Sequence, residues 1–336
     1  MKVFKRVIAT DKYRAEIDGL RFIAILAVLL FHVDGFLTLY TDKSSFLSPV
    51  WFTGHLGVQL FFSISGFVLM SQILRSKNFS YKKYLIRRIE RIEPPFLLTT
   101  IIFYLLLSFR DGFDEAKNNS LFHVLTYTSN FNENLINFVT WSLEIEVVFY
   151  LLLPLFFYIF KDDLKKWLLF GVLIFAFSRF YELHFLTSHF HWFIVGISVA
   201  IIEKNNIQVP FLNLGKYITL LSLLSYFALD IFDKNSFITL LQIALLFVFL
   251  YGVLIKGQFK KTLSIEILTI IGGACYIIYL IHFQVISVVG HQLIPLIKNR
   301  ELIVPILLII TLMVCLLAFP ILERPFMKRK WWAINK

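Results

Sequence analysis

Residues 20–40 read LRFIAILAVLLFHVDGFLTLY, an apolar run long enough to cross a bilayer as one helix. Arg21 and His32 interrupt it, with ten residues between them. At about 100° per residue, His32 falls about 20° past three full turns from Arg21, so both side chains point along one helix face. The run places almost no other polar group beside them. Ionisable groups are costly in hydrocarbon and are kept where they face a bundle interior or a wet cavity. This helix is therefore the first candidate site. The competing account is a histidine that only hydrogen-bonds a neighbouring helix.

The rest of the chain is equally apolar. Of 336 residues, 58% are hydrophobic and 38 are phenylalanine, and the mean hydropathy is +0.75, which excludes a soluble domain. Working outward from the opening run, further spans read at about 55–74, 95–109, 141–160, 166–178, 190–202, 217–232, 236–255, 265–290 and 301–322. The fold class is an all-α polytopic membrane bundle of about ten transmembrane helices. The runs starting at 95, 166 and 190 are short for a span of about 20 residues, so their neighbours complete them or they tilt little.

Charge orients the bundle. The N-terminal segment and alternate loops carry 25 of the Lys and Arg residues against 7 in the intervening loops, which puts both termini in the cytoplasm. The net charge of +11 is then a mark of topology, and nucleic acid is not an expected partner. The N-terminus lacks the short core and small-residue site of a cleaved signal. Cys275 and Cys315 lie inside apolar runs and read as small core residues. Residues 110–140 read as a folded outer loop.

Several further stretches carry chemistry. In residues 57–67, GVQLFFSISGF, the small Ser63, Ser65 and Gly66 allow close helix approach. Arg88 and Arg91 stand three apart in the basic stretch before Pro94, where their planar forks can face one phosphate-rich ligand. The alternative for them is a lipid-headgroup anchor. Glu146 follows Trp141 at the outer end of its span, about 7 Å inward, whereas Glu144 stays near the rim and solvated. Tyr276, Tyr279 and His282 step by three along another span, a spacing that interfacial anchoring explains equally well. Glu323 and Arg324 read as a local ion pair at a helix end. His184, His189 and His191 crowd one loop without a thiol or clear carboxylate, so no metal site is expected.

In register, these stretches resemble the acyltransferase 3 family of membrane O-acyltransferases over about residues 13–325, flanked by a cytoplasmic segment, 1–12, and a basic tail, 326–336. The resemblance rests on Tyr13 to Arg21 with His32, the 57–67 stretch, the arginines before Pro94, Trp141 to Tyr150, and Tyr276 to His282. It implies transfer of an acyl group, usually acetyl, from cytoplasmic acyl-CoA to a hydroxyl on a cell-envelope glycan or related acceptor. Arg21 and His32 match the family's arginine–histidine pair, Arg88 and Arg91 its Arg-x-x-Arg motif, and Glu146 its acidic residue. Gln59 departs from an aspartate found in many members; many relatives also carry an extracytoplasmic hydrolase-like domain after the last span, and none is expected in this sequence.

The resulting expectation is an acyltransferase of the bacterial inner membrane, in contact with lipid. His32 is its general base or transient acyl carrier, Arg21 and Glu146 orient groups or balance charge, and Arg88 and Arg91 bind the acyl-CoA donor. Ser65, Tyr279 and His282 are substrate or packing candidates. The main rival is a transporter or flippase for a lipid-linked glycan, with a silent scaffold as a third reading. No inverted repeat supports the transporter.

Overall fold

In the computed structural model, residues 2–7, 13–41, 45–129, 137–180, 187–209, 215–232, 235–297 and 299–328 are described. Among them the regular structure is helical: α1 Ala15–Thr41, α2 Ser48–Phe52, α3 Gly57–Leu74, α4 Tyr81–Asp111, α5 Glu115–Leu125, α6 Thr140–Phe160, α7 Leu164–Phe180, α8 Thr187–Asn205, α9 Lys216–Ala228, α10 Ser236–Leu254, α11 Lys260–Leu263, α12 Glu266–Gly273, α13 Cys275–Leu293 and α14 Arg300–Leu322. All ten apolar runs fall on these helices. Among the described residues, seven helical segments are long and apolar enough to cross a membrane: α1, α2 with α3, α4, α6, α10, α13 and α14. The remaining three runs fall short for identifiable reasons. α7 and α9 are brief, at 17 and 13 residues, and α8 is diluted by His189, His191 and a charged end at Glu203 and Lys204.

Helix starts follow the side chains that can satisfy orphan N–H groups. Ser80 caps α4, Asp114 caps α5 through the Lys117 N–H at 2.7 Å, and Asn235 caps α10 through Ile238 at 2.9 Å. Lys117 also bonds the Asp114 carboxylate, which holds that carboxyl below its usual range and keeps the cap ionised. α4 ends at Gly112, whose φ of +85° is open to glycine at little cost. The chain reverses there, and Tyr104 of α4 donates to Asn118 of α5. The stretch expected as an outer loop thus begins as a helix folded back along α4. Its residues 130–136 lie outside the described ones.

The chain divides into two compact units. One comprises Arg14–Phe79 and Leu152–Gly272. In it α3 crosses α8 at backbone distance: Ser63 Oγ donates to the Trp192 carbonyl at 2.8 Å, and Gly66 and Gly196 face the partner helix's backbone with no room for a Cβ. Small residues serve this role in membranes, where close packing and interhelical hydrogen bonds drive association. Ser65 is half-buried and about 200° round the helix from Ser63, turned away from that contact. Arg14 draws several elements together in the same unit. It reaches Glu16 and Glu203, each at 2.7 Å, donates to the Leu254 carbonyl at 2.8 Å, and lies over the Phe67 ring.

The other unit comprises Met1–Tyr13, Ser80–Leu151 and Gly273–Lys336, hence α4, α5, the first half of α6, α13 and α14. α4 and α6 run antiparallel, with the Tyr81 hydroxyl donating to the Leu151 carbonyl. Glu323, at the end of α14, accepts the Ile277 N–H at 2.9 Å, placing a carboxylate at the N-terminus of α13. Arg324 donates to the Lys5 carbonyl. Beyond the expected local pair, Glu323 and Arg324 thus each make a tertiary contact.

Candidate active site

Two polar clusters stand out, one in each unit. On α1, Arg21 is not a lone cation: its guanidinium meets Asp18 Oδ1 at 2.7 Å, one turn back. The Asp18 side chain is fully buried, and Arg21's is 17% exposed. Asp18 precedes the apolar run, and its i, i+3 spacing from Arg21 is the sequence signal for this pair. His32 is half-buried and packs edge-on against the Phe31 ring at 5.0 Å. Two residues on, Asp34 is buried and accepts from Ser48 Oγ at 2.9 Å.

The second cluster lies on α4, α6 and α13. Arg88 and Arg91 are half-buried while Arg87 is exposed, so the pair three residues apart shares the inward side of α4. The Arg88 guanidinium stands 5.7 Å from the Tyr84 ring centroid, a cation–π arrangement. Tyr84 and Tyr150 both lie within electrostatic reach of Arg88 and Glu146, and the Glu146 carboxylate meets the Tyr150 hydroxyl. Past Arg91, Pro94 and Pro95 remove two helix N–H donors. On the same stretch the Ile92 carbonyl accepts the Tyr276 hydroxyl at 2.9 Å. Glu93 accepts the Tyr127 hydroxyl at 2.6 Å.

This arrangement corrects the solvated setting expected of Glu144. Because Tyr81 lies beside Leu151, Glu146 sits near the basic start of α4, among the arginines, and away from α4's far end. Glu144 is not solvated: it is 1% exposed and accepts the Ser129 N–H. Glu146 is half-exposed. The Ser129 N–H that Glu144 accepts is a tertiary partner that its place in the α6 sequence did not indicate.

The tyrosines of α13 are cross-helix ties rather than interfacial anchors. Tyr279 donates to the Val139 carbonyl at 3.1 Å and shares a 2.6 Å hydrogen bond with Ser142 Oγ. His282 is fully buried, with Nδ1 2.8 Å from the Tyr279 carbonyl and 3.1 Å from that of Ile278. Carbonyls only accept, so the proton is assigned to Nδ1 and the basic lone pair to Nε2. Sequence reasoning did not select Tyr84 and Tyr150; their four-residue spacing from Arg88 and Glu146 was the available signal. Arg21 and His32 belong to one unit, and Arg88, Arg91, Glu146, Tyr279 and His282 to the other. Among the described residues, no group of three histidine, cysteine or acidic side chains has metal-holding geometry; His184 lies outside them.

A family model described as an acyltransferase domain matches residues 14–333. The chain belongs to the acyltransferase 3 family. The matched region contains all the site residues drawn from the family resemblance and extends a few residues past the expected end at 325. Among curated proteins, the chain is 25% identical to the O-acetyltransferase OatA of Staphylococcus aureus (strain NCTC 8325 / PS 47), over 86% of its own length and 53% of the relative's. It is 24% identical to the putative O-acetyltransferase SAS0844 of Staphylococcus aureus (strain MSSA476), over 96% of its length and 59% of that protein's. The acyltransferase 3 chain thus spans little more than half the length of these relatives. No solved structure matches it significantly.

Proposed function

We propose that this protein moves an acyl group, acetyl first, from a cytoplasmic acyl-CoA to a hydroxyl of an extracytoplasmic carbohydrate or other envelope acceptor. The observation that carries the reading is family membership over residues 14–333, and relatives named as O-acetyltransferases support it. His32 takes the proton from the acceptor hydroxyl as its oxygen attacks the thioester carbonyl. The carbon–sulfur bond breaks, the acyl group passes to oxygen, and the proton returns to the departing thiolate. A covalent variant routes the acyl group over the His32 ring before the hydroxyl receives it. Arg21, already paired with Asp18, orients the charged groups of its helix. Arg88 and Arg91 present forks suited to the donor's phosphates. Glu146 balances Arg88, with which it shares the neighbourhood of Tyr84 and Tyr150.

The loop charges support an inner-membrane enzyme with both termini in the cytoplasm. The deciding experiment reconstitutes the purified chain in liposomes with radiolabelled acetyl-CoA and a panel of hydroxyl acceptors, following free thiol and label together. The expected result is thiol release coupled to acceptor labelling. Neither signal with acetyl-CoA or succinyl-CoA, from protein that binds both, would reject the reading.

A further inference from the structure

The turn Thr53–Leu56 between α2 and α3 is locked onto α1 just below His32. A Cβ at Gly54 would run into the Ala27 carbonyl and come within 3.1 Å of Phe31 Cβ; one at Gly57 would run into the Ala24 carbonyl and come within 2.9 Å of Val28 Cγ2. His55 sits in this turn. Its Nδ1 is 2.8 Å from the Phe52 carbonyl oxygen, and its Nε2 is 3.4 Å from Asp230 Oδ2. Because the carbonyl only accepts, Nδ1 carries a proton, and an attractive contact at Nε2 needs a second one. With it the contact is imidazolium against carboxylate; without it a lone pair faces a carboxylate.

Asp230 is buried in the short turn Leu229–Ile231 that closes α9. The same helix sends the Tyr226 hydroxyl to the Leu56 carbonyl at 2.9 Å. The Gln59 amide, with its nitrogen turned towards the turn, donates to the carbonyls of His55 at 2.8 Å and Leu56 at 3.3 Å. That gives a neutral hydrogen-bonding role to the position where many family members carry an aspartate. The Phe31 ring meets His32 at 5.0 Å and His55 at 5.7 Å. The two imidazoles are therefore no farther apart than those separations laid end to end.

We propose that His55 is a positioning residue of the acyl-transfer site: its proton-dependent clasp with Asp230 holds the Thr53–Leu56 turn against α1 and thereby fixes the Phe31 and His32 rings. The proposal rests on the acyl-transfer reading. His55 Nδ1 faces the Phe52 carbonyl and Nε2 faces the Asp230 carboxylate at ion-pair distance, so His55 acts through His32 and does not receive the acceptor's proton. The titratable groups of the surrounding elements are Asp230 and Tyr226 from the α9 end and His32 and Asp34 from α1. α2 and α3 contribute no other titratable group. Once alkaline pH removes the second proton from the imidazole, the clasp loses its attraction and the turn loosens.

Two readouts on the purified full chain test this. One is hydrogen–deuterium exchange of residues 48–57, corrected for the intrinsic pH dependence of exchange; the other is the pH profile of acetyl-CoA turnover. In wild type, corrected exchange should increase about threefold or more on the alkaline side. Asp230→Asn offers a side-chain N–H to the bare Nε2, and His55→Gln removes the titrating group, so both variants should show a flat response. Their alkaline limb in kcat should move or vanish, while the KM for acetyl-CoA changes less than about twofold. Identical exchange profiles in all three proteins would overturn the clasp. A clasp seen by exchange with superimposable kcat profiles would overturn its tie to His32. Wild type that shows the exchange response but turns over no acyl-CoA would reject the acyl-transfer reading, and with it the positioning role, leaving the clasp as architecture.

Discussion

Replacing Gly196 with alanine should weaken the α3–α8 contact by an amount readable from the structure. The added Cβ would overlap the Ser63 carbonyl and lie 2.6 Å from the Phe67 nitrogen, whereas ordinary contact begins at 3.4 Å. The helices must part by at least about 0.8 Å on the second contact alone, and by more on the first. That separation stretches the 2.8 Å Ser63–Trp192 hydrogen bond, at a cost of about 1 kcal/mol. Overpacking a close contact adds about 1–3 kcal/mol, and alanine's better helix propensity returns at most about 1 kcal/mol. A net loss of about 1–3 kcal/mol is expected from these terms when the full propensity gain is credited. Two controls fix the sign. Gly171→Ala meets only the Ile194 side chain, at 3.1 Å, which can turn aside, and Gly35→Ala meets nothing within 4 Å. The first should be near neutral, and the second should stabilise by up to about 1 kcal/mol. Equilibrium unfolding in detergent micelles reads all three; stability of Gly196→Ala at or above wild type would refute the close-packing argument.

His32→Ala should leave a folded, membrane-inserted protein whose acyl transfer falls by about 10²–10⁴, and activity within a few-fold of wild type would remove His32 from the chemistry. Arg88→Ala or Arg91→Ala should weaken acetyl-CoA binding by about 10- to 150-fold, the cost of one charged hydrogen bond, with lysine restoring it only in part; unchanged affinity by calorimetry would return both to headgroup contacts. Because Asp18 is the more deeply buried member of its pair, Arg21→Met should cost about 3–5 kcal/mol and Asp18→Asn less, with the double variant milder than Arg21→Met alone. A strictly additive double-mutant cycle would show that the two charges do not support each other.

The helical bundle was legible because hydrocarbon demands apolar length, although the run at 265–290 breaks at Ala274 into α12 and α13 and seven helical segments meet the length and apolarity of a span. Ser63 and Gly66 were legible for the same reason: small residues in a membrane helix have few purposes other than close approach. The burial of Glu144 was not: its place near the start of a span suggested a solvated carboxylate, whereas it is buried and accepts the Ser129 N–H from a segment 15 residues earlier. The clasp of His55 by Asp230 was equally hidden, since 175 residues of sequence separate the partners and neither stands in a local pattern. The family resemblance named Arg21 and His32 but gave no reason for Asp18 beside them; the pairing geometry supplies one.

The interleaving of the two units sets a schedule for synthesis. α4, α5 and the start of α6 emerge with their buried polar groups, Glu144 and the hydroxyl-seeking carbonyl of Ile92 among them, yet the α13 tyrosine that bonds Ile92 lies 184 residues downstream. The intervening stretch from Leu152 to Gly272 belongs to the other unit and takes about 6–24 s to translate at ~5–20 residues per second. For that interval the early helices must be sheltered by the insertion machinery or by one another. Arg14 waits similarly for Glu203 and Leu254. Stalling the ribosome within this window should therefore expose an intermediate whose polar helices are held in the membrane before their partners exist.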